Sequence, residues 1–485
     1  MSNEVCAMER YNLVVLGAGS GGLTVAAGGV GLGARVALLE RHRMGGDCLN
    51  SGCVPSKALL RVAKAAHAVR TAGAYGLGGV APLPRQDLGA AMGYVRAAQA
   101  RIAPHDSVER FAGLGVDVHL SAGRLRSAHE VTLTPSGATL WGRHIVLATG
   151  SQPRIPDVPG LAEAGFLTNE TVFDCEHLPA ALLVVGGGPI GVELGQAFAR
   201  LGSQVTIASG SQHVLPREDP DVAAVLAQAL RREGIALLDR ARAVRASLQD
   251  GKKHVTVRTP DDEQTVVVDE ILVAVGRRPN TDDLGLEAVG VAVDRRGVTI
   301  DRACRTSVPS IWAIGDVAGP YQFTHWANYQ ARIVLRNTLF PGTSSCDLDT
   351  MPWTTFTEPE VARVGLSETQ ARERGLAYDV FTARFDDNDR AICDGEPDGF
   401  VKVLTRRGRG TILGAAIVHA HAGELLAELT LAKRHGLALS KLSSAIHVYP
   451  TLVEANRAVG DAYLQGKLRP GMKQALARVF AWLRR

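Results

Sequence analysis

The chain has 485 residues, of which 46% are hydrophobic and 21% are charged. This composition is typical of a globular protein with about three to four domains. The formal net charge of +4 comes without a long basic block, so charge does not indicate a nucleic-acid partner. Seven cysteines are too few for a disulfide scaffold, and the N-terminus shows no secretory pattern. We expect a cytoplasmic enzyme.

The first predicted elements are a strand, a glycine turn, a helix and a second strand. Residues 11–16 (YNLVVL) form an apolar run, and GAGSGG follows before the alanine-rich helix. Gly17, Gly19 and Gly22 have the spacing that permits a tight turn, the approach of a pyrophosphate and close helix–strand packing. Glu40 ends the second strand, where an acid can bind ribose hydroxyls. The sequence therefore predicts a dinucleotide site.

The next stretch, GGDCLNSGCVPSK at 45–57, has four residues between Cys48 and Cys53. Position 56 is serine where a plant-type iron–sulfur pattern needs cysteine, and no further motif completes a zinc site, so we predict no metal. Two inert core thiols are less compatible with the flanking glycines. We favour a reversible disulfide, because a helix start and Lys57 lower the pKa of a thiol and a thiolate attacks fastest.

A second strand–turn–helix–strand unit follows the helical stretch 58–113 and the strand-rich stretch 116–148. Its fingerprint consists of Gly186, Gly188 and Gly191. Its second strand ends at Ser209 without an acid, and Arg217 is the nearest arginine after it. A strand end without a carboxylate can accommodate the 2′-phosphate of NADPH. We therefore favour NADPH, and NADH remains an alternative. Two dinucleotide sites in one chain indicate an electron path from a nicotinamide to a flavin.

The rest of the chain contains ILVAVGRRPN, IWAIGDVAG, a loop at 342–352 and a C-terminal α+β part. The tail has apolar residues at helical spacing, with arginines off that face. A core-facing helix is the favoured interpretation and a weak membrane-surface contact is the alternative. The predicted domains are 1–155 (FAD, first part), 156–278 (NAD(P)), 279–350 (FAD, second part), 351–466 (dimerisation) and 467–485 (basic amphipathic tail).

Several motifs occur together and in a fixed order. They are GGDCLNSGCVPSK, the two fingerprints, ATG at 148–150, VGRRPN at 275–280 and AIGD at 313–316. Together they resemble the class I pyridine nucleotide–disulfide oxidoreductases over residues 10–465. The resemblance implies an α/β protein with two Rossmann-like domains, one for FAD and one for NAD(P), and a C-terminal α+β dimerisation domain.

The resemblance also implies roles for individual residues. FAD lies on the first fold, with Glu40 at its ribose and Asp316 near its ribityl chain or pyrophosphate, and NAD(P)H lies on the second fold. Cys53 matches the thiol beside the flavin, and Cys48 matches the thiol that meets the acceptor. Lys57 and Glu193 match a pair near the reactive flavin nitrogen. We also assign Gly150 and Gly276, from the motifs ATG and VGRRPN, to cofactor binding.

The C-terminal motif distinguishes branches of this family. Disulfide reductases carry HPTxxE, whose histidine moves a proton for the leaving thiol at a site that the partner subunit completes. Here Glu454 is kept, but Tyr449 takes the place of the histidine, and a phenol that titrates near ~10 is a poor proton shuttle. His447 lies two residues earlier, and we expect a structural role for it. Mercuric reductases also place a tyrosine there, and 356–365 and 389–403 resemble that branch.

The acceptor is left open by two departures from mercuric reductases. Their C-terminal vicinal cysteine pair is replaced by AWLRR, and Cys6 stands alone where they have a C-x-x-C domain. We expect a homodimeric, mercuric-reductase-like flavoenzyme, with dihydrolipoyl dehydrogenase and a membrane-associated flavin-binding scaffold as alternatives. Four further cysteines have no partner in sequence, and we expect each to be a buried small hydrophobic side chain. They are Cys175, Cys304, Cys346 and Cys393.

Overall fold

The computed structural model describes residues 8–78, 85–468 and 470–484. Cys6 and Arg485 lie outside these ranges. The chain divides into two compact units, and each unit is built from two segments. The first unit comprises Met1–Gly210 and Leu238–Asp347, and the second comprises Ser211–Leu237 and Leu348–Arg485.

The largest sheet of the first unit contains the first predicted βαβ unit. Its strands are, in spatial order, Asp117–His119, Val36–Leu39, Glu9–Leu16, Thr139–Leu147, Glu130–Thr134 and Ala122–Leu125, and Ile311–Ala313 pairs with Thr139–Leu147. Glu9–Leu16 and Val36–Leu39 are parallel, and the helix Ser20–Gly31 connects them as predicted. Val36–Leu39 is buried at all four positions, as expected of an unbroken apolar run in a parallel sheet.

The second predicted βαβ unit forms a four-stranded sheet. Its order is Ala236–Asp239, Gln204–Ser209, Ala181–Val185 and Glu270–Val273. The helix Pro189–Leu201 connects Ala181–Val185 to the parallel strand Gln204–Ser209. Three antiparallel strands follow, Arg242–Gln249, Lys252–Arg258 and Glu263–Val268. Residues 178–198, which form a long apolar run in the sequence, therefore contain a buried strand, a turn and the start of a helix.

The other elements of the first unit are mainly helical. The further α-helices are Gly46–Asn50, Cys53–Thr71, Leu88–Ile102, Val108–Gly113, Leu161–Ala164 and Thr324–Leu339. The 3₁₀ turns are Ala72–Tyr75, Ala103–Asp106, Val172–Asp174, Glu287–Val289 and Gly315–Ala318. Two short antiparallel pairs are Ser151–Pro153 with Arg277–Pro279 and Val293–Asp294 with Gly297–Val298. The predicted helical and strand-rich stretches are thus found where the sequence places them.

The second unit is an antiparallel sheet with helices. The strand order is Pro352–Thr355, Glu360–Gly365, Ile412–His419, Phe400–Arg406 and Tyr378–Arg384. Its α-helices are Pro220–Arg232, Glu368–Glu373, Asp389–Asp394, Ala422–Arg434, Ser440–Ser444, Glu454–Lys467 and Pro470–Leu483, with a 3₁₀ turn at Phe385–Asp387. The helix Pro220–Arg232 groups with this unit, whereas the sequence analysis assigns it to 156–278. The finer domain boundaries stay a prediction.

The tail helix Pro470–Leu483 leaves its apolar face uncovered. Five side chains of that face are 39–65% exposed: Met472, Leu476, Val479, Phe480 and Leu483. The favoured core-facing interpretation of the tail is therefore wrong for this protomer. Within the described ranges, no helix is long and apolar enough to cross a membrane.

A group of buried ion pairs holds the start of Pro220–Arg232 within the second unit. Lys402 Nζ lies 3.1 Å from Asp219 and 2.7 Å from Asp221, and Arg363 lies 3.0 Å from Glu218. Burial alone would raise the pKa of Asp219, but the backbone N–H groups of Thr369 and Glu368, together with Lys402, lower it to about 2. Asp219 therefore stabilises the fold above pH ~4, and this contribution is lost as the pH falls towards ~2.

We expect Lys402→Met to destabilise the second unit, because it leaves the buried carboxylate of Asp219 without its cation. Breaking a buried pair on one side costs about 3–5 kcal/mol. Urea unfolding followed by circular dichroism measures the loss. Arg407→Met is the matched control, since Arg407 and its partner Asp379 are 69% and 36% exposed and such surface pairs contribute at most about 1 kcal/mol. Equal losses in both variants would contradict the prediction.

Candidate active site

The first glycine fingerprint is shaped by backbone contacts that exclude side chains at two positions. Gly17 has φ +104°, and a Cβ there would lie 2.4 Å from the carbonyl oxygen of Ala148. A Cβ on Gly22 would lie 1.9 Å from the carbonyl oxygen of Gly17. At Gly19, by contrast, the nearest atom to such a Cβ is 3.8 Å away. Space is therefore kept where a pyrophosphate would approach the backbone.

The surroundings of this turn fit the adenosine diphosphate part of FAD. Gly19 precedes the helix Ser20–Gly31, and no side chain caps that end, so its N–H groups can bind an anion. Glu40 is buried, and its two carboxylate oxygens accept hydrogen bonds of 2.8 Å from the N–H groups of Ala18 and His42. These bonds fix the carboxylate at the end of its strand, with lone pairs left for ribose hydroxyls.

The second fingerprint has the same geometry and fits a nicotinamide dinucleotide. Gly186 has φ +125°, and a Cβ on Gly191 would lie 1.9 Å from the carbonyl oxygen of Gly186. No atom lies within 4 Å of the corresponding position at Gly188, which starts Pro189–Leu201 without a side-chain cap. Ser209 is buried at the end of its strand, so no carboxylate stands where NAD would need one.

The loop with the two thiols lies directly against the first fingerprint. The N–H of Gly45 donates to the carbonyl of Ala18 over 2.9 Å, and a Cβ on Gly46 would lie 2.6 Å from Cα of Gly19. Cys48 lies in the short helix Gly46–Asn50, and Cys53 is the first residue of Cys53–Thr71. Both are free thiols here. The contacts of Gly45 and Gly46 thus place the two thiols beside the predicted flavin-binding turn.

The environment of Cys53 favours a thiolate. Its Sγ lies 3.2 Å from Oγ1 of Thr324, and the Cys48 thiol is a second partner. The hydrogen bond with Cys48, helped by Thr324 and the charge of Lys57, outweighs burial and lowers the pKa of Cys53 to about 6. The same bond and burial raise the pKa of Cys48. Thr324 is not among the residues predicted from the sequence, because no motif marks it.

Lys57 and Glu193 form the pair that the resemblance implies. Lys57 Nζ lies 2.7 Å from Oε2 of Glu193, whose side chain is buried. Lys57 is in Cys53–Thr71, one turn after Cys53, and Glu193 is in Pro189–Leu201. One ion pair therefore joins the helix of the thiols to the helix that begins at the second fingerprint.

Asp316 is part of a polar network that the sequence analysis found only in part. Its Oδ2 accepts a 2.6 Å hydrogen bond from Ser151 Oγ, and Arg277 Nε donates to the same Oγ over 2.7 Å. Arg277 also lies 3.3 Å from the carboxylate of Asp47, next to Cys48. Burial raises the pKa of Asp316, against the effects of Ser151 and Arg277. Arg277 thus connects the thiol loop to Asp316.

The two remaining predicted glycines flank one antiparallel strand pair. Gly150 (φ +71°) precedes Ser151–Pro153, and Gly276 (φ +114°) precedes Arg277–Pro279. Open space surrounds the Cβ position of each. Their φ angles explain why glycine stands there, and the structure itself assigns them no ligand.

Tyr449 and Glu454 line a cleft of about 480 Å³ in the second unit, together with Asp389 and Arg457. The Tyr449 hydroxyl donates to Oδ2 of Asp389 over 2.8 Å. This hydrogen bond and the carboxylate charge raise the pKa of Tyr449. Glu454 lies 3.4 Å from Arg457. Tyr449 is therefore a weaker acid than a free phenol and gives up its proton less readily near neutral pH.

His447 is held between two acceptors. Its Nε2 lies 3.0 Å from Oε1 of Glu428, and its Nδ1 lies 3.1 Å from the carbonyl oxygen of Ala445. The other oxygen of Glu428 accepts from Asn456 over 2.9 Å. Acceptor oxygens therefore face both ring nitrogens and fix the orientation of the ring, which favours the predicted structural role for His447.

The remaining cysteines agree only in part with the sequence-based expectation. Cys304 and Cys346 are buried free thiols, as expected, but the fold also brings their Sγ atoms to 3.5 Å from each other. Their separation of 42 residues matches no spacing motif. Cys393 is exposed and Cys175 is half-buried, so neither is the fully buried thiol that we expected.

Comparisons with known proteins agree with this geometry. The family model "Pyridine nucleotide-disulphide oxidoreductase" matches residues 11–331, and the dimerisation domain of that family matches 351–459. Mercuric reductase of Streptomyces lividans is 35% identical over 458 residues, covering 93% of this chain and 96% of that protein. Dihydrolipoyl dehydrogenase of Thermus scotoductus is 36% identical over 466 residues, covering 94% and 98%.

Two solved structures are similar over nearly the whole chain. The Cu(II) complex of the HOCl-induced flavoprotein disulfide reductase RclA from Escherichia coli has a TM-score of 0.83 at 29% identity, covering 94% of this chain and 99% of that one. LpdA from Mycobacterium tuberculosis has a TM-score of 0.85 at 28% identity, with the same coverage. The chain belongs to the pyridine nucleotide-disulphide oxidoreductase family, whose members bind FAD and use NAD(P)H. Its relatives include both mercuric reductases and dihydrolipoyl dehydrogenases at similar identity, so they do not define its acceptor.

Lys57→Met is expected to raise the pKa of Cys53, because it removes the cation that stabilises the thiolate. In the reduced holoenzyme, carbamidomethylation of Cys53 by iodoacetamide should reach half its maximal rate near pH 6, and the midpoint should move upward in the variant. Peptide mass spectrometry separates the Cys53 label from that of Cys48. Lys64→Met, two turns further along the same helix, should leave the midpoint unchanged. A wild-type midpoint near the ordinary value of about 8.5 would contradict the prediction.

Proposed function

We propose that the protein is an NADPH-dependent flavoprotein reductase whose Cys48 and Cys53 deliver electrons to a soft, thiol-binding metal ion such as Hg(II). Bound FAD supplies the two-electron relay between a nicotinamide and the thiol pair. Gly17, Gly19, Gly22, Glu40 and Asp316 would hold the flavin cofactor. The second fingerprint would hold the nucleotide. The active form is a homodimer, as the dimerisation domain and the resemblance imply.

The two thiols have different tasks in this proposal. Cys53 is ionised near neutral pH and is the thiol that faces the flavin. Cys48, whose pKa is raised, stays protonated until it binds the acceptor. Lys57, held by Glu193, keeps a positive charge one helical turn from Cys53 and stabilises its thiolate. Soft thiolates bind Hg(II) in preference to harder ligands, so the pair suits such an acceptor.

The observation that carries the choice of acceptor is the environment of Tyr449. A disulfide acceptor needs a proton for its leaving thiol, which the family's histidine supplies. Tyr449 stands in its place, with a raised pKa and a hydrogen bond to Asp389. Both ring nitrogens of His447 lie within hydrogen-bond distance of acceptor oxygens, on Ala445 and Glu428. A metal ion accepts two electrons without needing a protonated leaving group, so the loss of this shuttle does not impair its reduction.

NADPH is the proposed donor because the second fold has an arginine where it lacks an acid. Ser209 accepts a 2.7 Å hydrogen bond from the N–H of Ala241, so the start of the strand Arg242–Gln249 lies at this strand end. The Arg242 side chain lies 3.8–3.9 Å from the Cβ position of Gly210, directly after Ser209. An arginine at this place can pair with a 2′-phosphate. Within the first unit, Arg242 is therefore a better candidate to bind the 2′-phosphate than Arg217, the arginine that the sequence alone suggests.

A second proposal concerns the tail, which we propose to lie on an anionic membrane surface. Residues 467–485 contain six Lys or Arg and no acid. At about 100° per residue, Lys473 and Arg484 flank one edge of the exposed apolar stripe, whereas Arg478 lies on the opposite face. An amphipathic helix with a basic edge beside its apolar stripe is typical of helices in the plane of a bilayer surface. The enzyme and membrane-associated interpretations are then compatible.

Wild-type enzyme is expected to consume NADPH continuously with Hg(II) in excess small thiol, and at most ~1% as fast with oxidised lipoamide, since general acid catalysis contributes about 10²–10⁴-fold. Anaerobic absorbance at 340 nm measures both reactions. Cys48→Ser should abolish Hg(II) turnover. Tyr449→His should raise lipoamide turnover at least about tenfold by restoring a proton shuttle.

The runner-up, a dihydrolipoyl dehydrogenase-like activity, makes the opposite prediction for the same two assays. Fast wild-type turnover with lipoamide and none with Hg(II) would establish it and refute the metal-ion proposal. Glu428→Gln is then informative, since it removes the charge from the carboxylate that holds His447. Unchanged lipoamide turnover in that variant would exclude His447 as the shuttle.

Arg242→Met should lower the preference for NADPH over NADH by about tenfold or more, because a charge-assisted contact to phosphate contributes ~1.5–3 kcal/mol. The ratio of kcat/KM for the two nucleotides measures it. Arg245→Met, further along the same strand, is the control and should leave the ratio unchanged. An NADH preference in the wild type would contradict the proposal.

Replacing Val479 and Phe480 together by Glu should abolish sedimentation with phosphatidylglycerol vesicles, because it breaks the apolar stripe. The wild type should bind these vesicles but not phosphatidylcholine vesicles, and salt should weaken binding. Replacing Gln474 and Ala481 by Glu adds the same charge on the opposite face, and should weaken binding without abolishing it. NADPH consumption should be equal in all three proteins. If both variants lost vesicle binding equally, the tail would be attracted to the vesicles by charge alone. That result would contradict docking of the apolar stripe.

A further inference from the structure

A second pair of thiols lies within the first unit, away from the Cys48–Cys53 loop in sequence. The Sγ atoms of Cys304 and Cys346 are 3.5 Å apart. The two residues are 0% and 5% exposed. Neither takes part in the function proposed above, and the sequence predicts only a buried small hydrophobic side chain at each position.

Backbone hydrogen bonds hold both cysteines in place. The N–H of Cys304 donates to Asp301 over 3.0 Å, and its carbonyl accepts from Ala313 over 3.2 Å. The N–H of Cys346 donates to the carbonyl of Arg302 over 2.7 Å, two residues before Cys304. A disulfide has sulfurs about 2.05 Å apart, so closure requires the sulfurs to approach by about 1.5 Å. Side-chain rotation with a small backbone shift can supply that movement.

The segment between the two cysteines carries groups that face the candidate active site. It contains Asp316, which bonds Ser151, and Thr324, which bonds Cys53. It also contains Gln330, whose Oε1 accepts from the N–H of Gly315 over 2.7 Å. A covalent bond between 304 and 346 would close this whole segment into a ring. Closing a ring restricts the unfolded chain and thereby stabilises the folded segment.

We propose that Cys304 and Cys346 form a second, oxidant-driven disulfide that locks the segment carrying Asp316 and Thr324. The burial of both thiols restricts the reaction to small oxidants, and hydrogen peroxide is the reactant we assign. Cys346 reacts first, because it is the more exposed of the two. The Cys304 thiol, donating to Cys346, lowers the pKa of Cys346 and so favours its thiolate.

The reaction balances in two steps. The Cys346 thiolate attacks one peroxide oxygen, the O–O bond breaks, and the products are a sulfenic acid on Cys346 and hydroxide, which takes up a proton to become water. The Cys304 sulfur then attacks the Cys346 sulfur, forming the S–S bond and breaking the S–O bond. The leaving hydroxide takes the Cys304 proton as water. Two thiols are oxidised by two electrons, and one peroxide is reduced to two waters.

The test uses reduced holoenzyme treated with hydrogen peroxide, alkylated with N-ethylmaleimide after unfolding and digested without reduction. Mass spectrometry should find a cross-linked peptide joining Cys304 to Cys346, besides the Cys48–Cys53 product. The temperature at which flavin fluorescence appears on heating should rise by several degrees after oxidation. Cys346→Ala should abolish the cross-link and that part of the rise, while Cys48–Cys53 still oxidises. Alanine is chosen because a buried serine hydroxyl would itself destabilise the fold.

Cys175→Ala is the matched control and should keep both the cross-link and the full rise in temperature. Two results would overturn the proposal. One is complete labelling of Cys304 and Cys346 by N-ethylmaleimide when Cys48–Cys53 is fully oxidised. The other is oxidation of Cys346 to sulfinic acid without any cross-link. Neither readout depends on the acceptor, so failure here is distinguishable from failure of the proposed reductase activity.

Discussion

The close contact between two glycine-containing turns is the constraint on which the candidate site depends. Gly46 lies so near Gly19 that neither loop can move towards the other, and the Gly45–Ala18 hydrogen bond prevents them from separating. The turn that would receive the flavin pyrophosphate and the loop that carries the thiols are therefore one rigid structure. Every other group near Cys53 is placed relative to that structure.

Charge around the thiols is arranged asymmetrically. The hydrogen bond between the two thiols is the main cause, because it lowers the pKa of Cys53 and raises the pKa of Cys48. The charge of Lys57 adds to this effect at Cys53, and the polar network of Arg277, Ser151 and Asp316 reaches the loop through Asp47. In the second unit the arrangement is different, since the hydroxyl of Tyr449 is held by the carboxylate of Asp389.

The sequence predicts those features whose signals are local. Each fingerprint is read within six residues, and the thiol loop within thirteen, because glycine requirements and thiol spacing are set by short-range geometry. Thr324 lies 271 residues from Cys53, and Cys304 lies 42 residues from Cys346, so only the folded topology brings them together. The uncovered face of the tail was missed for a related reason, since an apolar stripe does not specify what covers it. The roles of the individual site residues stay predictions.

The ion pair between Lys57 and Glu193 has a thermodynamic consequence. It joins the helix that begins with Cys53 to the helix whose N-terminal end would receive the nucleotide pyrophosphate. Coupling free energies between two sites are reciprocal, so any change that the nucleotide makes in the proton affinity of Cys53 must appear equally in the nucleotide's own affinity. Proton release from Cys53 and binding at the nucleotide site would then be coupled equilibria, and the buried carboxylate of Glu193 would connect them.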